Sequence, residues 1–139
     1  MKWKQIVVVG IVAGIVIEVI SLVVSWLAQS IWQYKVMELA GMRPITDPVA
    51  VLFFVYPWVL GFALSYVFSY FEKSFEGNSI AKGWKFGLLL WIVVSVPSAF
   101  LVFASMSYPV GFTANSIIGS FIYMIAAGIV IVKIFDWMK

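Results

Sequence analysis

The chain contains no cysteine and no histidine. These absences remove disulfides, thiol nucleophiles and imidazole bases, and with them the usual ligands for zinc and haem, so no cofactor and no metal is expected. Charge is the next scarcity. Only 11% of the 139 residues are Asp, Glu, Lys or Arg, less than half of the roughly 25% in an ordinary soluble domain. With 64% of the residues hydrophobic, a bundle of this size leaves a largely apolar outer face even with every charge outside, and that face must meet lipid. The bilayer is therefore the first expected partner. The net charge of +3 comes from lysines near the ends of apolar runs, a pattern that concerns membrane orientation rather than nucleic acid.

What is present is a set of long apolar runs. Ile6 to Leu27 carries one charge, Glu18, and at about 1.5 Å per residue it crosses a hydrocarbon core of roughly 30 Å. Its length exceeds the roughly 7 to 15 apolar residues of a signal peptide, so it is expected to be retained as a span. Pro48 to Phe71 is uncharged, with Asp47 as its N-cap and Pro48 at the first helical position. The chain from Phe86 to Val132 is uncharged and too long for one crossing. Ser107, Tyr108, Pro109 and Gly111 supply the turn chemistry that divides it. The expectation is an all-α membrane protein of one domain, with four transmembrane helices over 6–27, 48–71, 86–106 and 113–134 in an up-down-up-down bundle.

Charge also predicts orientation, because cytoplasmic flanks retain Lys and Arg. Lys2, Lys4, Lys73, Lys82, Lys85, Lys133 and Lys139 flank one side of the predicted membrane, and Lys35 and Arg43 the other. Both termini are therefore expected in the cytoplasm. Trp3, Trp84 and Trp137 then fall at the inner interface and Trp32, Tyr34 and Tyr108 at the outer one, where amphipathic aromatics settle.

Small and polar residues pattern the helix faces. Gly10, Gly14, Glu18, Ser21 and Ser25 follow at steps of three or four along the first span, on one face. Gly10 and Gly14 let another helix backbone approach, and Gly61 and Ser65 do the same on the second span, so these four are read as packing positions. Pro57 and Pro97 lie near the middles of spans two and three, where each removes a helical hydrogen bond and predicts a kink. Glu18 sits about 20 Å into the bilayer. Burial in hydrocarbon favours its neutral carboxyl, which can donate a hydrogen bond, and Tyr56, Ser95, Ser98 and Tyr123 share its depth as candidate partners. The group reads either as helix-to-helix glue or as a proton or cation relay. In the outer loop, Arg43 and Asp47 stand four apart and predict a clasp, a ligand at the outer mouth being the alternative.

Three short motifs, Arg43-Pro44-x-x-Asp47-Pro48, Tyr56-Pro57-x-x-x-Gly61 and Lys85-Phe86-Gly87 leading to Pro97, carry a resemblance. The chain resembles small four-helix membrane proteins of bacteria and archaea, along most of its length. The resemblance implies four spans and the cytoplasmic membrane of a prokaryote; it lends no activity. One intramembrane carboxyl is thin equipment for an enzyme, which needs several convergent groups. The expected function is a non-enzymatic accessory or structural protein, associating with itself or with a larger membrane complex. The alternative is a small proton- or cation-coupled transporter built on Glu18.

Overall fold

In hydrocarbon every backbone N–H and C=O needs an internal partner, so apolar runs of this length resolve into helices. The computed structural model describes residues 3–139; Lys2, one of the seven lysines assigned to the inner side, lies outside them. Five α-helices carry the fold: α1, Trp3–Trp32; α2, Leu52–Phe71; α3, Ser79–Leu90; α4, Val96–Ser105; and α5, Val110–Trp137. A short 3-10 turn, Pro48–Val51, leads into α2, and a π-turn, Trp91–Ser95, joins α3 to α4. Four stretches are thus long and apolar enough to cross a membrane: Trp3–Trp32, Pro48–Ser74, Ser79–Ser105 and Val110–Trp137. They run past the apolar runs at several ends because polar flanks such as Ser79 to Lys85 continue the helix. Gln33, at φ 53°, ends α1 with the left-handed residue common after a helix.

The helices form an open ring. α1 packs on α2 and on α5, and α5 packs on α3, while α4 touches α5 only sparsely and has no substantial packing with α2. Contacts fix the relative chain directions. Gly10 meets Phe62 and Gly14 meets Trp58, so α1 and α2 oppose each other. Gly83 meets Ile129 and Gly87 meets Met124, so α3 and α5 do too. Gln5 Nε2 donates to the Met138 carbonyl at 3.2 Å, which brings the two ends of the chain together.

Two glycine crossings hold the ring. A Cβ added at Gly61 would stand 2.6 Å from the Gly10 carbonyl oxygen and 2.7 Å from the Gly14 nitrogen. One added at Gly128 would stand within 3.1 Å of Gly87 Cα. Both crossings therefore bring backbone against backbone. Around them lies the core: Ile6, Val9, Ala13 and Ile17 of α1, Leu64 and Phe68 of α2, Phe86 of α3, and Met124, Ile131 and Phe135 of α5. All of it sits in the half of the molecule nearest the termini. Phe68 packs edge-on against Phe86 and Phe135 at 5.1 and 5.2 Å, which closes the α2–α3 side of the ring at that end. Further from the termini, Leu52, Phe53, Val59, Phe100, Leu101 and Phe103 are all exposed.

A polar latch rims the closed end. Lys139 Nζ lies 2.6 Å from Glu72 and 2.6 Å from Asp136, and Ser79 donates to Asp136 at 2.6 Å. These bonds tie the ends of α2 and α5 to the start of α3, and the two carboxylates raise the Lys139 pKa above its ordinary value. Gly61→Ala and Gly128→Ala should each destabilise the fold by about 1–3 kcal/mol, the usual cost of overpacking. Val19→Leu, on an outward-facing position that is 56% exposed, should leave the thermal midpoint in detergent unchanged. Equal midpoints for all three variants would refute the backbone contacts.

Candidate functional site

Pro97 has no N–H to give and its ring crowds the carbonyl of Val93, so the helix before it cannot keep the regular ladder. The chain widens into the π-turn, in which the Val96 N–H reaches back to the Trp91 carbonyl. Such turns re-aim the side chains around them. Here Ser95 and Ala99 are turned inward and Pro97 and Ser98 remain exposed. Trp91 anchors the turn to α5, its indole donating to the Ile117 carbonyl at 3.0 Å and to Ser120 Oγ at 3.2 Å.

Beyond this anchor α4 leaves α5, and a cleft of about 220 Å³ opens between α2, α4 and α5. Its polar lining is hydroxyl: Tyr56 from α2, Ser95 and Ser98 from the π-turn and α4, and Ser116, Ser120 and Tyr123 from α5. Tyr56 and Tyr123 each bring a phenol to this lining. Most serine hydroxyls use their hydrogen on their own helix. Ser98 donates to Val94 at 2.6 Å, Ser116 to Phe112 at 2.9 Å, and Ser120 to the carbonyls of Ser116 and Ile117. Ser65, at the glycine crossing, likewise donates to Gly61 at 2.8 Å.

The four hydroxyl residues expected around Glu18 are therefore gathered together, but Glu18 is not with them. It lies on α1 one turn beyond Gly14, partly exposed, between buried Ile17 and exposed Val19. The expected hydrogen bond from its carboxyl to a hydroxyl of another helix is not made; only its backbone carbonyl is engaged, by Ser21 at 3.1 Å. Equal depth placed the hydroxyls at its level, but Glu18 stands on α1, and the cleft is lined by α2, α4 and α5 without it. Pro57 is buried within α2, which runs through it from Leu52 to Phe71, and the π-turn Trp91–Ser95 directly precedes Val96 and Pro97.

The loop at the far end is built from polar contacts. Arg43 Nη1 bonds Asp47 Oδ2 at 2.8 Å, and Asp47 Oδ1 accepts the Val49 N–H at 2.9 Å, so one carboxylate serves as clasp and cap. Gln29 Oε1 accepts the Val36 N–H at 2.9 Å and fixes the chain as it leaves α1. Beneath the loop, Met37, Met42, Ile45, Phe53 and Phe54 enclose an apolar hollow of about 320 Å³. Sequence reasoning missed Trp91, Gln29 and the Ser79–Asp136–Lys139–Glu72 latch. Trp91 carried a signal, an indole four residues before Ser95 in an otherwise aliphatic run. Among the described residues no three His, Cys, Asp or Glu side chains group as a metal site. The chain matches no family model, no curated protein and no solved structure.

The Val49 amide first, and then Arg43, hold the Asp47 carboxyl below the ordinary carboxylate range. A depressed folded-state value means the cap stabilises the loop above the unfolded pKa of about 3.9 and is lost as pH falls through the lower folded one. Hydrogen exchange of the Val49 amide, corrected for intrinsic rate, should stay protected from neutral pH down to about 4 and lose protection below it. Asp47→Asn should remain capped without that pH dependence, and Asp47→Ala should be unprotected throughout. Unchanged protection in the alanine variant would remove Asp47 from the cap.

Proposed function

We propose that the chain is a non-enzymatic accessory protein of a membrane, an up-down-up-down bundle with both termini in the cytoplasm, which associates with another membrane subunit through the face carrying Glu18. The observation that carries this reading is the carboxyl itself. Glu18 is partly exposed at the depth of the hydrocarbon core, next to lipid-facing Val19 and Ile15, and no hydroxyl of its own chain bonds it. A polar group in hydrocarbon is costly unless satisfied, and helices in membranes satisfy such groups on one another. The missing partner group then belongs to a second polypeptide. A relay through Glu18 would need a chain of exchangeable groups leading from it, and Tyr56, Ser95, Ser98 and Tyr123, the hydroxyls expected at its depth, lie in a cleft that Glu18 does not line.

The orientation rests on the lysines. Lys4, Lys73, Lys82, Lys85, Lys133 and Lys139 belong to the closed end, and Lys35 and Arg43 to the far end. A reporter fused after Lys139 should be cytoplasmic and one inserted at Gly41 exported; the reverse pattern would overturn the orientation. For the association, tagged protein purified from its native membranes should bring a membrane partner at fixed stoichiometry. Glu18→Gln, which keeps hydrogen bonding, should retain that partner. Glu18→Leu should lose it while keeping the thermal midpoint. A partner held equally by all three forms, or none at all, would defeat the reading.

A further inference from the structure

We infer that the cleft between α2, α4 and α5 is a binding site for the hydroxyl headgroup of a neutral amphiphile, which enters from the bilayer through the seam where α2 and α4 have no substantial packing. The inference goes beyond the accessory role and does not depend on Glu18.

Ser95 is the central observation. It is only 8% exposed, it lines the cleft, and its hydroxyl has no hydrogen-bond partner in the protein. Buried hydroxyls are ordinarily paired, so one left open toward a cavity marks a place for a ligand. The wider hydrogen count then selects the ligand's chemistry. Ser98, Ser116 and Ser120 have donated their hydrogens to backbone carbonyls and offer the cleft lone pairs. Tyr56 and Tyr123 bring two phenols to the lining, each able to donate and to accept. Ser95 adds a further donor. The site thus presents both donors and acceptors, and suits a group that does both. An alcohol does so, whereas a ketone or quinone carbonyl only accepts.

Charge narrows the class further. No Asp, Glu, Lys or Arg lines the cleft, so a carboxylate, phosphate or ammonium headgroup would be desolvated without a counter-ion. The size agrees with partial enclosure. About 220 Å³ is below the roughly 300–1,000 Å³ of pockets that surround a whole small molecule. It accommodates a headgroup and its first carbons, and the rest of the chain lies along the open seam past Val94 and Val102. Free fatty alcohols, polyprenols and the glycerol end of acylglycerols share this chemistry.

The test uses full-length protein in phosphatidylcholine nanodiscs and a long-chain 1-alkanol carrying a diazirine near its hydroxyl. Irradiation should label peptides of α4 and α5 about fivefold more with the alcohol than with its methyl ether or the carboxylic acid of equal length, the ratio expected for one hydrogen bond. Ser95→Ala and Tyr123→Phe should each lower labelling about fivefold. The Ser95 hydroxyl bonds nothing in the protein, so its removal should leave the thermal midpoint unchanged. Competition with unlabelled polyprenol and with monoacylglycerol separates the natural sources. Equal labelling by alcohol and ether, stronger labelling by the acid, or labelling indifferent to both substitutions would each overturn the proposal. So would a cleft protected by a co-purifying helix rather than by an alcohol.

Discussion

Helices in a membrane gain nothing from hiding apolar surface from one another, because lipid tails are as apolar as leucine. What holds them is close approach, and here approach is possible only where glycine removes the side chain. The two crossings, Gly10 and Gly14 against Gly61 and Gly83 and Gly87 against Gly128, bring main chain within van der Waals distance of main chain. Each pairs two glycines four apart on one helix with a single glycine on its antiparallel neighbour. The device recurs without a repeated sequence around it: aligning Gly14 with Gly87 sets Ser25 beside Ser98 but Glu18 beside Trp91.

The position of the crossings governs everything else. Both lie in the half nearest the termini, where the phenylalanine cluster and the Lys139 latch also sit, so that half is closed on every side. In the far half the extensive packing is between α1 and α5, through Gly111 against Trp32 and Tyr34 and Gly119 against Val24. α2 and α4 have no substantial packing there. The π-turn enforced by Pro97 sets where α4 begins to leave, and the Trp91 indole fixes the point of departure.

The long helices were legible because apolar length and charge scarcity are one-dimensional quantities, and so was the break before α5, where Pro109 and Gly111 stand. The Asp47 cap and the Arg43 clasp were legible for a related reason, since their partners lie within four residues. Depth is also one-dimensional, and it set Tyr56, Ser95, Ser98 and Tyr123 at one level. Azimuth is not. Counting residues gives the height of Glu18 but not which neighbour its face meets, and the hydrogen bond inferred from height alone is not made. The latch was invisible for the same reason: Ser79 and Asp136 lie 57 residues apart and meet only because α3 and α5 pack.

The polar groups of the helices thereby fall in separate places: Glu18 on α1, Ser65 at a glycine crossing, and the hydroxyls of the cleft between α2, α4 and α5. A proton path needs groups that pass hydrogens on, yet Ser65, Ser98, Ser116 and Ser120 have each turned their hydrogen into their own helix. Such bonds satisfy a hydroxyl at little cost and make it a fixed acceptor. Among the groups left open are the Glu18 carboxyl at the edge of α1 and the Ser95 hydroxyl in the cleft, and Gln5 Oε1 and the Tyr34 hydroxyl are buried without a partner. The Glu18 carboxyl and the Ser95 hydroxyl are bonded neither to each other nor to another side chain of the protein.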